Sequence, residues 1–185
     1  MHIEHPRYPD LEAAIEGTLA PAKVIAELAL VDVDYYSMVT SDYTTGQIVV
    51  AEALAGDVQE IFGELRNKEF PIRSIVPIVH FGHDDFTSIR NNNTSAFNYR
   101  EVAGTDRLSK HALGRALDLN PLLNPYVNKD GSPKEGSFNY PGYDPRIPGT
   151  IVKGDLVVKA FHNKGWIWGG DWDDALDLQH FSKDQ

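Results

Sequence analysis

Cysteine is absent. That excludes disulfide frameworks, thiolate zinc sites and cysteine nucleophiles together, and it leaves any metal to His, Asp and Glu. Basic residues are scarce: 17 Lys and Arg stand against 27 Asp and Glu, a formal net charge of −10. Binding of nucleic acid rests on neutralising phosphates from a basic face, and a polybasic membrane anchor needs clustered Lys and Arg. Neither is supported. No run approaches the ~18 apolar residues of a membrane span, so no transmembrane segment is expected. Met1–Asp10 shows no basic-then-apolar leader. There is no internal repeat and no low-complexity tract.

What is present is an ordinary globular composition, 42% hydrophobic and 24% charged over 185 residues. A chain of this length suits one domain and buries roughly 70% of its unfolded surface without covalent staples. The expectation is one domain over 1–185, as a monomer, with an N-terminal surface segment at 1–26 broken by Pro6, Pro9 and Pro21. Glu27–Tyr36 alternates apolar and polar residues and predicts a strand. Val50, Leu54, Val58, Ile61, Phe62 and Leu65 fall at helical spacing and predict an amphipathic helix ending near Asn67. Pro71–Phe81 predicts a second strand, with Pro77 marking an edge or bulge. His83–Thr94 reads as a polar loop, and Ser95–Arg100 and Gly114–Leu119 as short strands, the latter entered by a turn at Gly114. Residues 120–149, rich in Pro, Gly and Asn, form a long loop beyond the ordinary range. Asp155 is an N-cap for a helix over Leu156–Asn163, with Gly165 as its stop, and Trp166–Phe181 closes on a strand. Helices and strands intersperse without strict alternation, which predicts an α+β fold with a small, mainly antiparallel sheet.

The chemistry concentrates in two places. In Ser109–Asp118 (SKHALGRALD), His111 and Asp118 are seven apart with Gly114 between them, so a turn at Gly114 folds one back towards the other. In Asp177–Phe181 (DLQHF), Asp177 and His180 are three apart. His111, Asp118 and His180 offer two imidazoles and one carboxylate. Zinc takes such ligands tetrahedrally, three protein ligands leaving the fourth position to water, whose pKa drops to about 7. Asp177 would stand beside that water as general base, a role worth about 10²–10⁴ in rate. Spacing alone leaves open a capping Asp118 and surface histidines. Other histidines carry less. His80 and His83 with Asp84 and Asp85 read as a polar loop after a strand, His162 as a cation at a helix end, and His2 and His5 as part of the terminal segment. Trp168 and Trp172 sit beside the proposed catalytic strand and are candidates to wall the cleft, or ordinary core; Arg90 reads as an exposed loop arginine.

Ser109-x-His111-x-x-Gly114-x-Ala116-x-Asp118 followed far downstream by acid-x-x-His resembles the zinc D-alanyl-D-alanine carboxypeptidases, a group with the vancomycin-resistance D,D-dipeptidases and phage L-alanyl-D-glutamate endopeptidases. Asn92–Arg100 (NNTSAFNYR within it), Asp118–Tyr126 (DLNPLLNPY) and Gly165–Trp168 (GWIW) agree with it. The resemblance covers roughly Tyr35 to Gln185. It implies the small α+β fold shared with lysostaphin-type peptidases and the hedgehog signalling domain, one Zn²⁺ held by His111, Asp118 and His180, and Asp177 as catalytic acid/base. It implies Arg100 as the arginine that meets a substrate carboxylate or steadies the scissile carbonyl, and Ser109 as a serine lining the cleft. The substrate would be a peptidoglycan stem peptide and the location the cell envelope. Many members carry Glu where this sequence has Asp177, so the choice between carboxypeptidase and endopeptidase stays open. A zinc-stabilised binding module without catalysis is the alternative from another class.

Overall fold

A computed structural model describes residues 6–102, 104–130, 132 and 143–184. His2 and His5, and residues 131 and 133–142 of the expected long loop, lie outside this description. The chain opens with two short helices, α1 (Leu11–Ala14) and α2 (Ala22–Ile25), followed by a long antiparallel hairpin of β1 (Leu28–Ser37) and β2 (Asp42–Ala51). The hairpin runs in unbroken register from Leu28↔Ala51 to Ser37↔Asp42. In β1 the alternation predicted from sequence is realised: Val31, Val33 and Tyr35 are buried while Asp32 and Asp34 face water. In β2, Gln47–Ala51 are all buried, which is the pattern of a strand covered on both faces.

That second strand corrects the reading of Val50 as helical. Val50 belongs to β2; a single 3-10 turn, Glu52–Leu54, follows, and helix α3 begins at Ala55 and ends at Asn67. Only the short turn Glu52–Leu54 separates strand from helix, so Val50 happens to lie four residues before Leu54 and mimics the helical period. From Val58 onward the expectation holds: Val58, Ile61, Phe62 and Leu65 are buried, each worth about 1.5–3 kcal/mol of transfer free energy.

The predicted strand over Pro71–Phe81 is two fragments. β3 (Pro71–Ile72) lies parallel to β1, and β4 (Ser74–Ile75) lies parallel to β5 (Asn93–Thr94). The run changes partners at Arg73, whose N–H leaves the ladder and donates to Asn120 Oδ1. Pro77 then opens a 3-10 turn over Ile78–Phe81. The polar loop expected at 83–94 contains a helix, α4 (Asp85–Arg90), capped by Asp84, whose carboxylate accepts from the N–H groups of Phe86 and Thr87. Ser95–Arg100 is no strand: Ser95 makes an isolated bridge with Asp118, and the next backbone groups serve different neighbours, Phe97 N–H donating to Val49 O and Asn98 N–H to His111 O.

The C-terminal part carries β6 (Ala116–Asp118), β7 (Tyr126–Asn128), helix α5 (Leu156–Asn163), β8 (Ile167–Trp168), β9 (Ala175–Asp177) and β10 (His180–Ser182). β10 is the centre of a three-stranded antiparallel sheet between β6 and β8, and β7 pairs with β9. Asp155 caps α5 through a bond from Val158 N–H at 2.9 Å, and Gly165 takes a left-handed φ of +76°, as the sequence predicts. Two buried asparagines fasten the chain after β6. Asn120 Nδ2 donates to Pro71 O and Gly149 O, and Asn124 Oδ1 accepts from Ile151 N–H while its Nδ2 reaches Leu119 O. The result is an α+β arrangement of small sheets. Its main core lies between the hairpin, α3, α5 and the C-terminal sheet. A second apolar cluster draws Ala14, Ile15 and Val24 from the N-terminal segment against Leu28, Val49 and Phe97. Among the described residues no helix is long and apolar enough to cross a membrane.

Candidate functional site

His111 sits in a 3-10 turn, Lys110–Leu113, whose start is capped by Ser109: its Oγ accepts from His111 N–H at 3.2 Å. Gly114 ends the turn at φ +64°. A Cβ there would lie 2.5 Å from Ala51 N, and Ala51 N–H donates to Gly114 O at 2.9 Å. The glycine therefore allows the turn to dock on the end of β2, and β6 follows at once. Asp118 ends β6, His180 begins β10, and the two are directly opposed in the antiparallel register.

These elements bring His111, Asp118 and His180 together, with one ligand atom of each within 4.8 Å of the others. His111 Nε2 lies 3.3 Å from Asp118 Oδ2, and His180 Nδ1 lies 3.1 Å from Asp118 Oδ1. The two imidazole nitrogens are 3.2 Å apart. The other nitrogen of His111, Nδ1, is 2.6 Å from Ala96 O. A carbonyl only accepts, so Nδ1 carries the proton and Nε2 can turn a lone pair inward. This outer hydrogen bond is the arrangement that orients metal-binding histidines. Burial alone would pull the His111 imidazole down, but the charge and hydrogen bond of Asp118 leave it above its ordinary value. Burial would likewise raise Asp118, and the two histidines hold it far below the usual carboxylate range. The donor set fits a divalent cation: two nitrogens and one anionic oxygen converge at a buried point, where they otherwise have only one another.

A cleft of about 720 Å³ opens over this trio. Asp177, at the end of β9, lines it. Burial pushes the Asp177 carboxyl up to about 6, against the opposing charge of His180 and with the charge of Asp118 adding to the rise. Gln179 Nε2 donates to Asp177 Oδ1 at 3.2 Å. Gly169 makes room here, since a Cβ on it would lie 2.5 Å from Asp177 O. Arg100 also lines the cleft, its Nη2 paired with Asp85 Oδ2 at 3.0 Å and its Nε buried without a partner. Asp85 in turn accepts from Asn98 Nδ2. Ser109 and Trp172 line the cleft as well, Trp172 with its ring centroid 5.3 Å from that of His180. Trp168 does not. It points to the core, 2% exposed, with Nε1 donating to Leu178 O and its ring stacked on Phe181; in β8 it is Ile167 that faces the cleft.

Residues 103–183 match the family model described as D-alanyl-D-alanine carboxypeptidase. This segment, a little under half of the chain, is similar to that family. It contains the whole His111–Asp118–His180 trio and Asp177, so the resemblance read from the SxHxxGxAxD signature and its downstream partner holds over it. No curated protein and no solved structure gives a significant match. The peptidase-family segment ends short of Arg100, which reaches the cleft from the N-terminal side of the chain together with Asp85, Phe86 and Ile89. Sequence reasoning passed over these α4 residues and over Gln179. The signal for α4 was present in Asp84 as an N-cap, obscured by the short length of the helix.

Outside the trio, His83 Nε2 lies 2.8 Å from Glu16 O, and His162 Nε2 is 3.5 Å from Asp171. Neither joins a metal-ligating group among the described residues.

Proposed function

We propose that the protein is a zinc peptidase that hydrolyses a bond of the peptidoglycan stem peptide, with a D-alanyl-D-alanine terminus as its preferred substrate. It would work as a monomer at the cell envelope. The observation that carries this reading is the buried His111–Asp118–His180 trio in the same cleft as a second, separately placed carboxyl, Asp177. A metal used only as a structural staple needs no such carboxyl beside it.

Zinc held by His111 Nε2, His180 Nδ1 and Asp118 would supply a Lewis acid that polarises the scissile carbonyl and acidifies water. Asp177 takes the proton of the attacking water and returns it to the leaving amine. A carboxyl poised near 6 serves both tasks better than one at its ordinary value. Gln179 fixes the carboxylate's rotation. Arg100, a lining residue of the cleft whose Nη2 is paired with Asp85, would hold the substrate's free carboxylate or the developing oxyanion. Trp172 walls the cleft beside His180. Asp177 in place of Glu keeps an L-alanyl-D-glutamate endopeptidase as the second reading.

The test is mass spectrometry of protein of defined metal content with a synthetic stem pentapeptide ending in D-Ala-D-Ala. Loss of one alanine, abolished by chelator and restored by zinc, is the expected result. A cut between L-Ala and the D-glutamyl residue moves the protein to the endopeptidase reading. No cleavage with one equivalent of zinc bound overturns the enzymatic reading in favour of a binding module.

A further inference from the structure

We infer that a second cleft, beside the β1–β2 hairpin and apart from the metal-ligating trio, binds the carboxylate or phosphate group of a small ligand, with Arg73, Tyr35 and Ser37 as its donors. This cleft has a volume of about 490 Å³ and is lined by Tyr35, Ser37, Tyr43, Arg73, His80 and Phe81 among others. None of these residues lines the cleft over the trio.

Arg73 is fixed at its backbone, where the chain passes from β3 to β4 and its N–H bonds Asn120. Its half-buried guanidinium has no carboxylate and no hydrogen-bond acceptor among the described residues. Arg7, which lines the same cleft, is by contrast taken up by Asp32 at 2.6 Å. Tyr35 is 1% exposed, and its hydroxyl has no partner. Burial pushes this phenol up to about 12, with the charge of Arg73 pulling the other way, so at neutral pH it is a donor without an acceptor. Ser37 Oγ accepts from the N–H groups of Val39 and Thr40, which leaves its own hydrogen to donate. A cation without an acceptor, a buried phenol hydroxyl without one and a serine hydroxyl with its hydrogen still to give therefore belong to residues that line one cavity. Leaving a buried donor unpaired costs about 1–3 kcal/mol, and an oxyanion answers all three donors at once, with charge-assisted bonds from the guanidinium. Asp42 also lines the cleft, but it is exposed and its Oδ1 is engaged by Tyr43 N–H at 2.7 Å. Tyr43, Phe81 and His80 add flat surfaces against which the body of an organic acid or phosphate ester can lie.

The experiment is a titration of the protein as purified with acetate and, separately, with inorganic phosphate, followed by backbone amide NMR. Saturable shifts at Ser37, Arg73 and Ser74 are expected. The tighter of the two probes says whether the ligand is a carboxylic acid or a phosphate ester. Arg73→Gln should weaken binding at least tenfold. Tyr35→Phe should weaken it several-fold while leaving Tm unchanged or higher, because it removes an unsatisfied donor; a residue with a merely structural hydroxyl would lower Tm. Arg100→Gln, in the other cleft, should leave these shifts intact. Absence of saturable shifts, shifts confined to the Arg100 cleft, or unaltered affinity in both the Arg73 and Tyr35 variants would overturn the inference.

Discussion

Asp177→Asn should abolish turnover and at the same time stabilise the metal-free protein. The wild-type carboxyl is pushed from its ordinary 3.8 to about 6 by burial. Two pKa units at 1.36 kcal/mol each amount to about 3 kcal/mol. The sign follows from proton linkage: the folded protein binds this proton more tightly than the unfolded chain does, so ionised Asp177 opposes folding above pH 6. Its contribution vanishes below the unfolded value, near pH 4. Asparagine keeps the shape, and its Oδ1 can still accept from Gln179, but it carries no charge to desolvate. At pH 7 the variant should gain up to about 3 kcal/mol. In a domain of this size that is roughly 6–12 °C in Tm. At about pH 3, below both values, the gain should all but disappear. Activity should fall by about 10²–10⁴ with the loss of the proton carrier. Calorimetry of metal-free wild type and variant at both pH values, with the pentapeptide assay on the zinc-loaded forms, reads both effects. An inactive variant no more stable than wild type at pH 7 would refute the account of the raised carboxyl. A fully active variant would refute Asp177 as the proton carrier.

Three further outcomes follow from the same geometry. His111→Ala should lose zinc by elemental analysis, and it should forfeit the stabilisation that wild type gains from the metal, about 2.7 kcal/mol at a free zinc concentration one hundred times the dissociation constant. Arg100→Ala should keep about one equivalent of zinc yet lower kcat/KM for the pentapeptide by roughly 10²-fold or more, the scale of a lost charge-assisted transition-state donor; Arg100→Lys should restore little, since a point charge cannot reproduce the planar fork. Gly114→Ala should cost at least about 2 kcal/mol in denaturant unfolding, because it adds left-handed strain to a Cβ 2.5 Å from Ala51 N; an unchanged midpoint would show that the turn shifts freely.

The parts of this protein that could be read in its sequence are those where a local rule and the tertiary environment agree. Asp155 and Gly165 bracket α5 because capping is a local matter of orphan N–H groups and a positive φ. Val31, Val33 and Tyr35 announce β1 because that strand has one wet face. The neighbouring β2 was not read, since burial on both faces erases alternation and Val50 joins the period of α3. Pro71–Phe81 looks uniform as text, yet its hydrogen bonds go to two different sheets, and nothing in the residues themselves marks Arg73 as the exchange point. At the site, the types and spacings of His111, Asp118 and His180 left a capping Asp118 and surface histidines open, and it was the resemblance of the SxHxxGxAxD signature with its downstream acid-x-x-His that singled out the trio; the fold then joins it through a glycine turn and a strand pairing. The partner of Arg100 was out of reach. Asp85 is one of two adjacent acids, and only the fold decides that Asp84 caps a helix while Asp85 meets the guanidinium. Trp168 was misplaced for a similar reason: in a two-residue strand, which of Ile167 and Trp168 turns inward cannot be told from alternation.

The opposition of Asp118 and His180 across β6 and β10 has a consequence for how the sheet assembles. These strands are three residues each, too short to fix their alignment by hydrophobic pattern alone. A slip of one residue would send His180 to the far face and break up the trio. A cation that binds only the aligned pairing adds its binding free energy to that alignment alone. An ion bound for the proposed chemistry would thus also act as a proofreader of strand pairing, selecting among near-equal alignments late in folding, and chelation during refolding should leave a population of misaligned, otherwise compact molecules.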